Sequence, residues 1–176
     1  MSSQPAPVDP VTIRRAAARD AEAMRGIYNY EVENFVTTTD MVPRTLDQQR
    51  VWIDERSGAF AAIVAVLADG EPDEQVVGFA SLSKFKERAA YSPTVENSVY
   101  VSRSHSGAGI GRILMDRLIE DAREGGFHSI IARIESSSEA SRALHRACGF
   151  ELVGVEREVG RKFGRWLDIA ILQLML

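Results

Sequence analysis

The sequence predicts a single α/β domain in which a mixed sheet carries helices on both faces. The chain has 176 residues, of which 45% are hydrophobic. This length is enough for one well-buried hydrophobic core but too short for two domains with a core each. Its hydrophobic periodicity gives elements in the order βααβββαβαββ, which favours a layered mixed sheet. The nearly continuous apolar run over residues 59–68 is typical of a buried central strand.

Capping signals set the bounds of the first helices. Asp20 is the expected N-cap of a helix over residues 20–34. Thr45 with Gln48 three residues later forms a capping box, and Gly58 suits the C-terminal end of that second helix. The predicted elements of the first half are strands at 11–16, 59–68, 76–85 and 94–103 and helices at 20–34 and 44–58.

A helix with one apolar stripe follows a glycine-rich turn in the second half. Ile110, Leu114, Leu118 and Ala122 form the stripe. The remaining predicted elements are strands at 129–135, 150–160 and 165–176 and a helix at 138–149, with Gly149 at its end.

Composition narrows the class of protein. A net charge of −4 and a pI near 5.5 argue against a nucleic-acid or anionic-membrane surface. The single cysteine, Cys148, forms no intrachain disulfide and fits a reducing compartment. Residues 1–10 have no signal-peptide pattern, and their prolines predict a short disordered lead before a domain over 11–176. We therefore expect a cytoplasmic protein without a membrane span or a metal site.

The segment GAGIGR, residues 107–112, is the strongest local motif. A glycine turn at a helix start can hold an anion, since free amides and the helix dipole converge there. A dinucleotide fingerprint needs its third glycine one residue later, and a Walker loop needs a Gly-Lys-Ser/Thr ending. Both nucleotide interpretations fail on spacing, and a plain strand-to-helix connector stays open.

Several segments resemble the GCN5-related N-acetyltransferase (GNAT) superfamily, and within it the phosphinothricin and L-amino-acid N-acetyltransferases. VYVSRSHSGAGIGRIL resembles the acyl-CoA signature; the other similar segments are IYNYEVEN, AAYSPTVENSVYV, EASRALHRACGF and REVGRKFGRWLD. The resemblance implies a GNAT fold with a mostly antiparallel sheet, splayed at the acyl-CoA strand. It also implies acetyl transfer from acetyl-CoA to the α-amine of a small amino acid or analogue, such as methionine sulfoximine, methionine sulfone or phosphinothricin.

The same resemblance implies which residues bind the cofactor. The loop amides would hold the diphosphate of coenzyme A, and the backbone of the preceding strand would pair with the pantetheine arm. Ser106 and Ser138 stand where the family often has a longer polar side chain, so we expect a weaker grip on the cofactor. The predicted cofactor-binding residues are Val99, Tyr100, Val101, Gly107, Ala108, Gly109, Ile110, Gly111, Arg112 and Ser138.

Two residues are the candidate catalytic groups. Amide formation needs a neutral amine, so a base must take a proton from the acceptor. Position and resemblance make Glu96 that base; the alternative is a solvated edge-strand glutamate. His145 could protonate the departing thiolate or could merely pack within its helix. A strand N–H near Val99 would meet the oxyanion.

The acceptor's carboxylate calls for cations, and the resemblance suggests where they lie. Lys86 and Arg88 match the family's substrate segment, and Arg88 could clamp a carboxylate with two hydrogen bonds. The full set of predicted substrate-binding residues is Tyr28, Glu31, Lys86, Glu87, Arg88, Tyr91, Glu96, Asn97 and Ser98.

Two other functions stay open beside this one. The chain could acetylate a protein or peptide, or it could be a silent acyl-CoA-binding sensor. The turn over residues 161–165 could reach the acceptor site or a partner subunit. Since family members are commonly dimers, the resemblance also implies a homodimer.

Overall fold

Within residues 11–176, one sheet contains seven strands: β1 (Val11–Arg15), β2 (Ala62–Leu67), β3 (Gln75–Lys84), β4 (Thr94–Val101), β5 (Ser129–Glu135), β6 (Glu151–Lys162) and β7 (Arg165–Met175). Their order in the sheet is β1-β2-β3-β4-β5-β7-β6. The computed structural model describes residues 11–176, and the lead predicted over Met1–Pro10 lies outside them. Every neighbouring pair is antiparallel except β4–β5, so the predicted mixed, mostly antiparallel sheet is confirmed.

In the described part of the chain four α-helices cover the two faces, as predicted: α1 (Ala21–Asn34), α2 (Leu46–Asp54), α3 (Ile110–Glu124) and α4 (Glu139–Ala147). Met24 and Val32 of α1 and Ile53 of α2 pack against one face of the sheet. The predicted stripe of α3 is buried against the other face, with Leu114 and Leu118 fully inaccessible to water. Within residues 11–176, no helix is long and apolar enough to cross a bilayer.

The start of α2 agrees with the sequence and its end does not. Gln48 N–H donates to Thr45 Oγ1 at 3.2 Å and Thr45 N–H donates to Gln48 Oε1 at 2.8 Å, so the capping box is confirmed. The helix ends at Asp54, and the prediction that Gly58 ends it is wrong. A tighter turn, closed by the Arg56 N–H on the Ile53 carbonyl at 3.0 Å, takes the chain out of the helix first.

Asp20, the predicted N-cap, and Ser138 stand at the N-cap positions of α1 and α4, but neither side chain makes a capping hydrogen bond. The Asp20 carboxylate accepts from the Ala17 N–H at 2.7 Å and from Arg14, so it belongs to the turn before α1. Ser138 precedes α4 with ψ of 76°, short of the extended backbone found at Thr45, and its hydroxyl caps nothing.

The two parallel strands part soon after they meet. Thr94–Glu96 of β4 pair with Ser129–Ile131 of β5, and the pairing stops there. The predicted splay at this strand is confirmed. Because β4 lies between β3 and β5 and Glu96 is half-buried, the alternative of a solvated edge-strand glutamate is wrong.

Candidate active site

A cleft of about 490 Å³ opens where β4 and β5 separate. One wall is β4 from Asn97 to Val101 and the other is β5 from Ala132 to Ile134. Since β4 has no β5 partner beyond Glu96, its backbone on this side is a free strand edge inside the cleft. The glycine loop and α4, with Ser138 at its start, close the cleft.

The glycine loop presents backbone amides at the start of α3. Gly107 and Gly109 have φ of 81° and 83°, a left-handed conformation that costs glycine little because it has no Cβ. Gly109 is the N-cap of α3, so the N–H groups of Ile110 and Gly111 in the first turn have no acceptor within the helix. Such amides, at the positive end of the helix dipole, form an anion site.

The loop does not offer every amide from 107 to 112 to an anion. Ala108 N–H donates to the His105 carbonyl at 3.4 Å, and Arg112 N–H donates to the Gly109 carbonyl at 3.0 Å. The glycine-loop residues left for a ligand are Gly107, Gly109, Ile110 and Gly111, all of which line the cleft.

Gly111 and Arg112 join α3 to α4. A Cβ on Gly111 would lie 3.1 Å from Leu144 Cδ2, so glycine lets the two helices approach closely. The Arg112 guanidinium donates to the Ala147 carbonyl at 2.7 Å and to the Asp116 carboxylate at 2.8 Å. The side chain of Arg112 is therefore engaged within the protein, although the residue lines the cleft.

Glu96 lies at the closed end of the cleft, where the strands still pair. It is not a lining residue, but Ser98, two residues along the same face of β4, is one. Burial raises the pKa of Glu96, an effect that the charge of Arg133 opposes and that of Glu156 strengthens. A carboxylate whose pKa moves toward neutrality is better matched to proton abstraction at pH 7.

His145 is 2% exposed, and both of its ring nitrogens have partners in the protein. Nδ1 lies 2.8 Å from the Ser141 carbonyl, which can only accept, so Nδ1 carries the proton. Nε2 of the neutral ring then accepts from Asn97 Nδ2 at 2.9 Å. Burial lowers the pKa of His145, which also favours the neutral ring.

Asn97 lies on the opposite face of β4 from Glu96 and is 6% exposed. Its Nδ2 contacts His145 and, at 3.4 Å, the Met115 sulfur. Its Oδ1 is buried and has no hydrogen-bond partner among residues 11–176. Asn97 is also one of the residues that line the cleft.

The predicted acceptor residues on α1 are buried and already paired. Arg103 grips the Glu31 carboxylate with two hydrogen bonds of 2.7 Å, and Thr37 donates to it at 2.6 Å. Tyr28 packs edge-on against Tyr100 with ring centroids 5.2 Å apart, and its hydroxyl bonds to Asp40. Glu31 lines the cleft, whereas Tyr28 does not.

The predicted acceptor residues of the β3–β4 loop lie elsewhere. Lys86, Glu87, Arg88 and Tyr91 are exposed and do not line the cleft. The Lys86 ammonium lies 4.9 Å from the Tyr91 ring centroid, and Glu87 pairs with Lys84 at 2.7 Å. This loop precedes Thr94, roughly 20 Å along the strand from the Tyr100 end at ~3.3 Å per residue. The structure does not bring the two predicted groups together.

The sequence did not identify two arginines of the cleft. Arg103, which follows β4, and Arg133, within β5, both line it. Arg133 is the only charged residue inside the apolar run SIIARI, and that interruption was the available signal. Lys162, in the predicted turn at 161–165, is buried and donates to the carbonyl of Thr38 at 2.9 Å. Thr38 follows Thr37, which lines the cleft. In the described part of the chain no cluster of His, Cys, Asp or Glu could hold a metal ion.

The sequence of the chain matches a known protein family. The model of the acetyltransferase (GNAT) domain matches residues 13–171. The chain belongs to the GNAT acetyltransferases. Its cleft at the parting of β4 and β5 and its loop before α3 are thus features of a GNAT domain.

Individual relatives extend this finding. The chain is 40% identical to the L-methionine sulfoximine/L-methionine sulfone acetyltransferase of Pseudomonas aeruginosa, over 94% of both chains. It is similar to the phosphinothricin acetyltransferase of Sinorhizobium meliloti, solved with acetyl-CoA, at TM-score 0.88 and 36% identity, over 94% of this chain and 88% of that one. A structure named ribosomal-protein-alanine N-acetyltransferase from Brucella melitensis matches at TM-score 0.87 and 40% identity, over 94% and 99%.

Proposed function

We propose that this GNAT domain transfers the acetyl group of acetyl-CoA to the α-amine of a small amino acid or analogue. The main observation behind the proposal is that the amides of Gly109, Ile110 and Gly111 have no backbone partner within residues 11–176. These residues line the cleft together with the unpaired edge of β4. One end of the cleft can hold a diphosphate while the other reaches Glu96. The relatives from Pseudomonas and Sinorhizobium support this choice of donor and acceptor.

The donor would lie along the gap between the strands. Its diphosphate would accept hydrogen bonds from the loop amides, where a Cβ would keep the oxygens away. Its pantetheine amides would pair with the backbone of Val99, Tyr100 and Val101, as an added strand pairs with a sheet edge. This arrangement would place the thioester at the level of Ser98 and Val99, beside Glu96.

Glu96 would then act as the general base. It takes a proton from the ammonium of the acceptor, directly or through water, and the neutral amine attacks the thioester carbonyl. A strand N–H near Val99 would stabilise the oxyanion. The tetrahedral intermediate loses a second proton from its nitrogen to solvent. The carbon–sulfur bond then breaks as the amide forms, and the thiolate takes a proton from solvent. No covalent enzyme intermediate is needed.

His145 would serve as a packing and positioning residue in this scheme. Its proton is on Nδ1 and bonded to Ser141, and its Nε2 accepts from Asn97. A ring in this state has no proton to give to a thiolate. Of the two roles open for His145 at the sequence level, we propose the structural one.

A panel of acceptors tests the proposal. Release of free thiol from acetyl-CoA is measured with methionine sulfone, methionine sulfoximine, phosphinothricin, ordinary amino acids and short peptides, including one with an N-terminal alanine. We expect free amino-acid analogues to give the highest kcat/KM. The Brucella relative favours a second candidate, protein N-acetylation, which higher turnover of the peptides would support. Acetyl-CoA binding without thiol release from any acceptor would instead indicate a sensor.

We also propose that the chain works as a cytoplasmic homodimer. The edge strand β6 exposes Val153, Val155 and Val159, and Trp166 is exposed at the start of β7. Apolar side chains on an edge strand are commonly covered by a partner. Light scattering coupled to size exclusion would give twice the chain mass of 19.4 kDa if the proposal holds. A mass of one chain would contradict it.

A further inference from the structure

The turn between β4 and the glycine loop is attached to the rest of the protein at its first two residues. The Ser102 N–H donates to the Val77 carbonyl of β3 at 2.8 Å. Arg103 then donates to the Glu31 carboxylate of α1 from Nε and from Nη2, each at 2.7 Å. Within the described part of the chain, these are the only side-chain hydrogen bonds that join residues 102–109 to another segment.

Short-range hydrogen bonds connect Arg103 to the glycine loop. The Ser106 N–H donates to the Arg103 carbonyl at 3.3 Å, and the Ala108 N–H donates to the His105 carbonyl at 3.4 Å. Gly109 follows with φ of 83° and begins α3. The position of Arg103 therefore fixes where this turn ends and where the loop amides lie.

Glu31 is a rigid anchor for the turn. Its side chain is 6% exposed, whereas that of Arg103 is 45% exposed. Thr37 donates to the same carboxylate at 2.6 Å, and the Arg103 guanidinium lies 3.9 Å from the centroid of the Phe35 ring. Removing Arg103 would leave a buried charge without compensation, so the pair is costly to break.

The pair lies in the cleft that would hold the donor. Glu31 and Arg103 line this cleft together with Gly109 and Ile110 of the glycine loop. Because Glu31 already balances the charge of the guanidinium, Arg103 attracts a second anion only weakly. The arrangement suits anchoring of the loop more than direct binding of a phosphate.

We propose that Arg103, fixed by Glu31, is a positioning residue for the diphosphate of coenzyme A. This inference rests on the proposed function, in which the amides of the glycine loop hold that diphosphate. N–H···O hydrogen bonds are formed at about 2.7–3.2 Å, so a shift of the loop by roughly 1 Å would break them. A donor without a diphosphate would not depend on the pair.

Donors that differ in the diphosphate test the role of Arg103. With one saturating acceptor, kcat/KM is measured by thiol release for acetyl-CoA, S-acetyl-dephospho-CoA and S-acetylpantetheine, of which only the last lacks the diphosphate. Arg103→Gln should lower kcat/KM for the first two donors roughly tenfold, about the effect of one lost hydrogen bond to a charged group. The loss should be in KM and not in kcat, and the value for S-acetylpantetheine should not change.

Glu31→Gln separates anchoring from charge, since it keeps the charge of Arg103 but weakens its anchor. It should lower kcat/KM for the two diphosphate donors as Arg103→Gln does. The double variant should lose no more than either single variant, because the two residues act as a unit. It also leaves no buried charge unpaired, so it carries the test if a single variant folds poorly. Arg103→Lys, which keeps the charge but not the two-bond geometry, should fall between.

The matched control is Arg25→Gln, which breaks the ion pair of Arg25 with Glu22 on the same helix, outside the cleft. It should leave all three donors unchanged. Equal losses on acetyl-CoA and S-acetylpantetheine in Arg103→Gln, or no loss, would overturn the inference and leave the proposed function intact. So would a loss confined to acetyl-CoA, which would place the effect at the 3′-phosphate.

The two single variants also distinguish positioning from direct binding. A loss in Arg103→Gln together with a gain in Glu31→Gln would overturn the inference and make Arg103 a direct ligand of the phosphates. Wild-type protein that uses S-acetylpantetheine as well as acetyl-CoA would contradict the diphosphate site of the proposed function, and the inference with it.

Discussion

Replacing Glu96 by glutamine separates the chemistry of this residue from its structural role. Within residues 11–176 its carboxylate has no hydrogen bond or ion pair, so Glu96→Gln breaks no contact of the fold. If Glu96 is the general base, kcat should fall about 10²- to 10⁴-fold, the usual contribution of such a group. That loss corresponds to roughly 2.7–5.4 kcal/mol of transition-state stabilisation at ~1.36 kcal/mol per decade. Affinity for acetyl-CoA should stay the same.

The same substitution should stabilise the protein at neutral pH. Burial holds the pKa of Glu96 in the folded chain above its ordinary value of 4.5, which applies to the unfolded chain. Between the unfolded and the folded pKa, the folded chain therefore binds more protons than the unfolded chain. Stability therefore decreases as pH rises through that window, and the ionised carboxylate keeps this cost at pH 7. Glutamine cannot ionise. Its melting temperature should exceed that of the wild type at pH 7, and the difference should vanish below about pH 4, under the ordinary carboxyl pKa.

The assay is a thiol-release rate measured from pH 5 to 9, with melting curves measured from about pH 3 to 9. Wild-type kcat/KM should fall at low pH with an apparent pKa above 4.5, and the Glu96→Gln profile should lack this limb. Glu151→Gln, at an exposed glutamate of β6, is the matched control and should change neither property. Wild-type turnover in Glu96→Gln would contradict the assignment of Glu96 as the general base. A pH profile of kcat/KM that keeps the wild-type decrease at low pH would contradict it as well.

Three further predictions concern the cofactor loop and the fold. Gly109→Ala should destabilise the fold by about 1–2 kcal/mol, because Gly109 has a positive φ. It should also weaken acetyl-CoA binding roughly tenfold or more, because the loop amides move. An unchanged affinity in titration calorimetry would contradict the second effect. Leu114→Ala should lower the free energy of unfolding by about 2–5 kcal/mol, because the side chain is fully buried. Urea unfolding measures this loss, and Ile113→Ala, at an exposed position of the same helix, is the control. Glu31→Gln should cost about 1.5–3 kcal/mol through its hydrogen bonds to Arg103; an unchanged urea midpoint would show that the pair contributes nothing.

Most of the fold could be predicted from local sequence patterns. The order of strands and helices follows from hydrophobic periodicity, and the stripe from Ile110 to Ala122 is buried as its spacing requires. The capping box at Thr45 is local as well. Asp20 and Ser138 do occupy the N-cap positions of α1 and α4, but their side chains make no capping hydrogen bond. The Asp20 carboxylate bonds to Ala17 and Arg14 instead, and the backbone at Ser138 is not extended.

Pairs of distant residues could not be predicted. Arg103 and Glu31 are 72 positions apart, and their pairing depends on how α1 docks on the sheet. Arg133 reaches Glu156 across the intervening β7. The predicted acceptor residues fall into two separate groups for the same reason. The family resemblance matched each sequence segment on its own, and it gave no distance between the segments. In the folded chain the residues of α1 and those of the β3–β4 loop lie near opposite ends of β4.

The structure of the complex with acetyl-CoA tests the central claim most directly. We expect diphosphate oxygens within hydrogen-bond distance of the amides of Gly109, Ile110 and Gly111, and the thioester between the parted strands beside Glu96. A donor whose diphosphate lies away from this loop, or whose thioester faces away from Glu96, would contradict it.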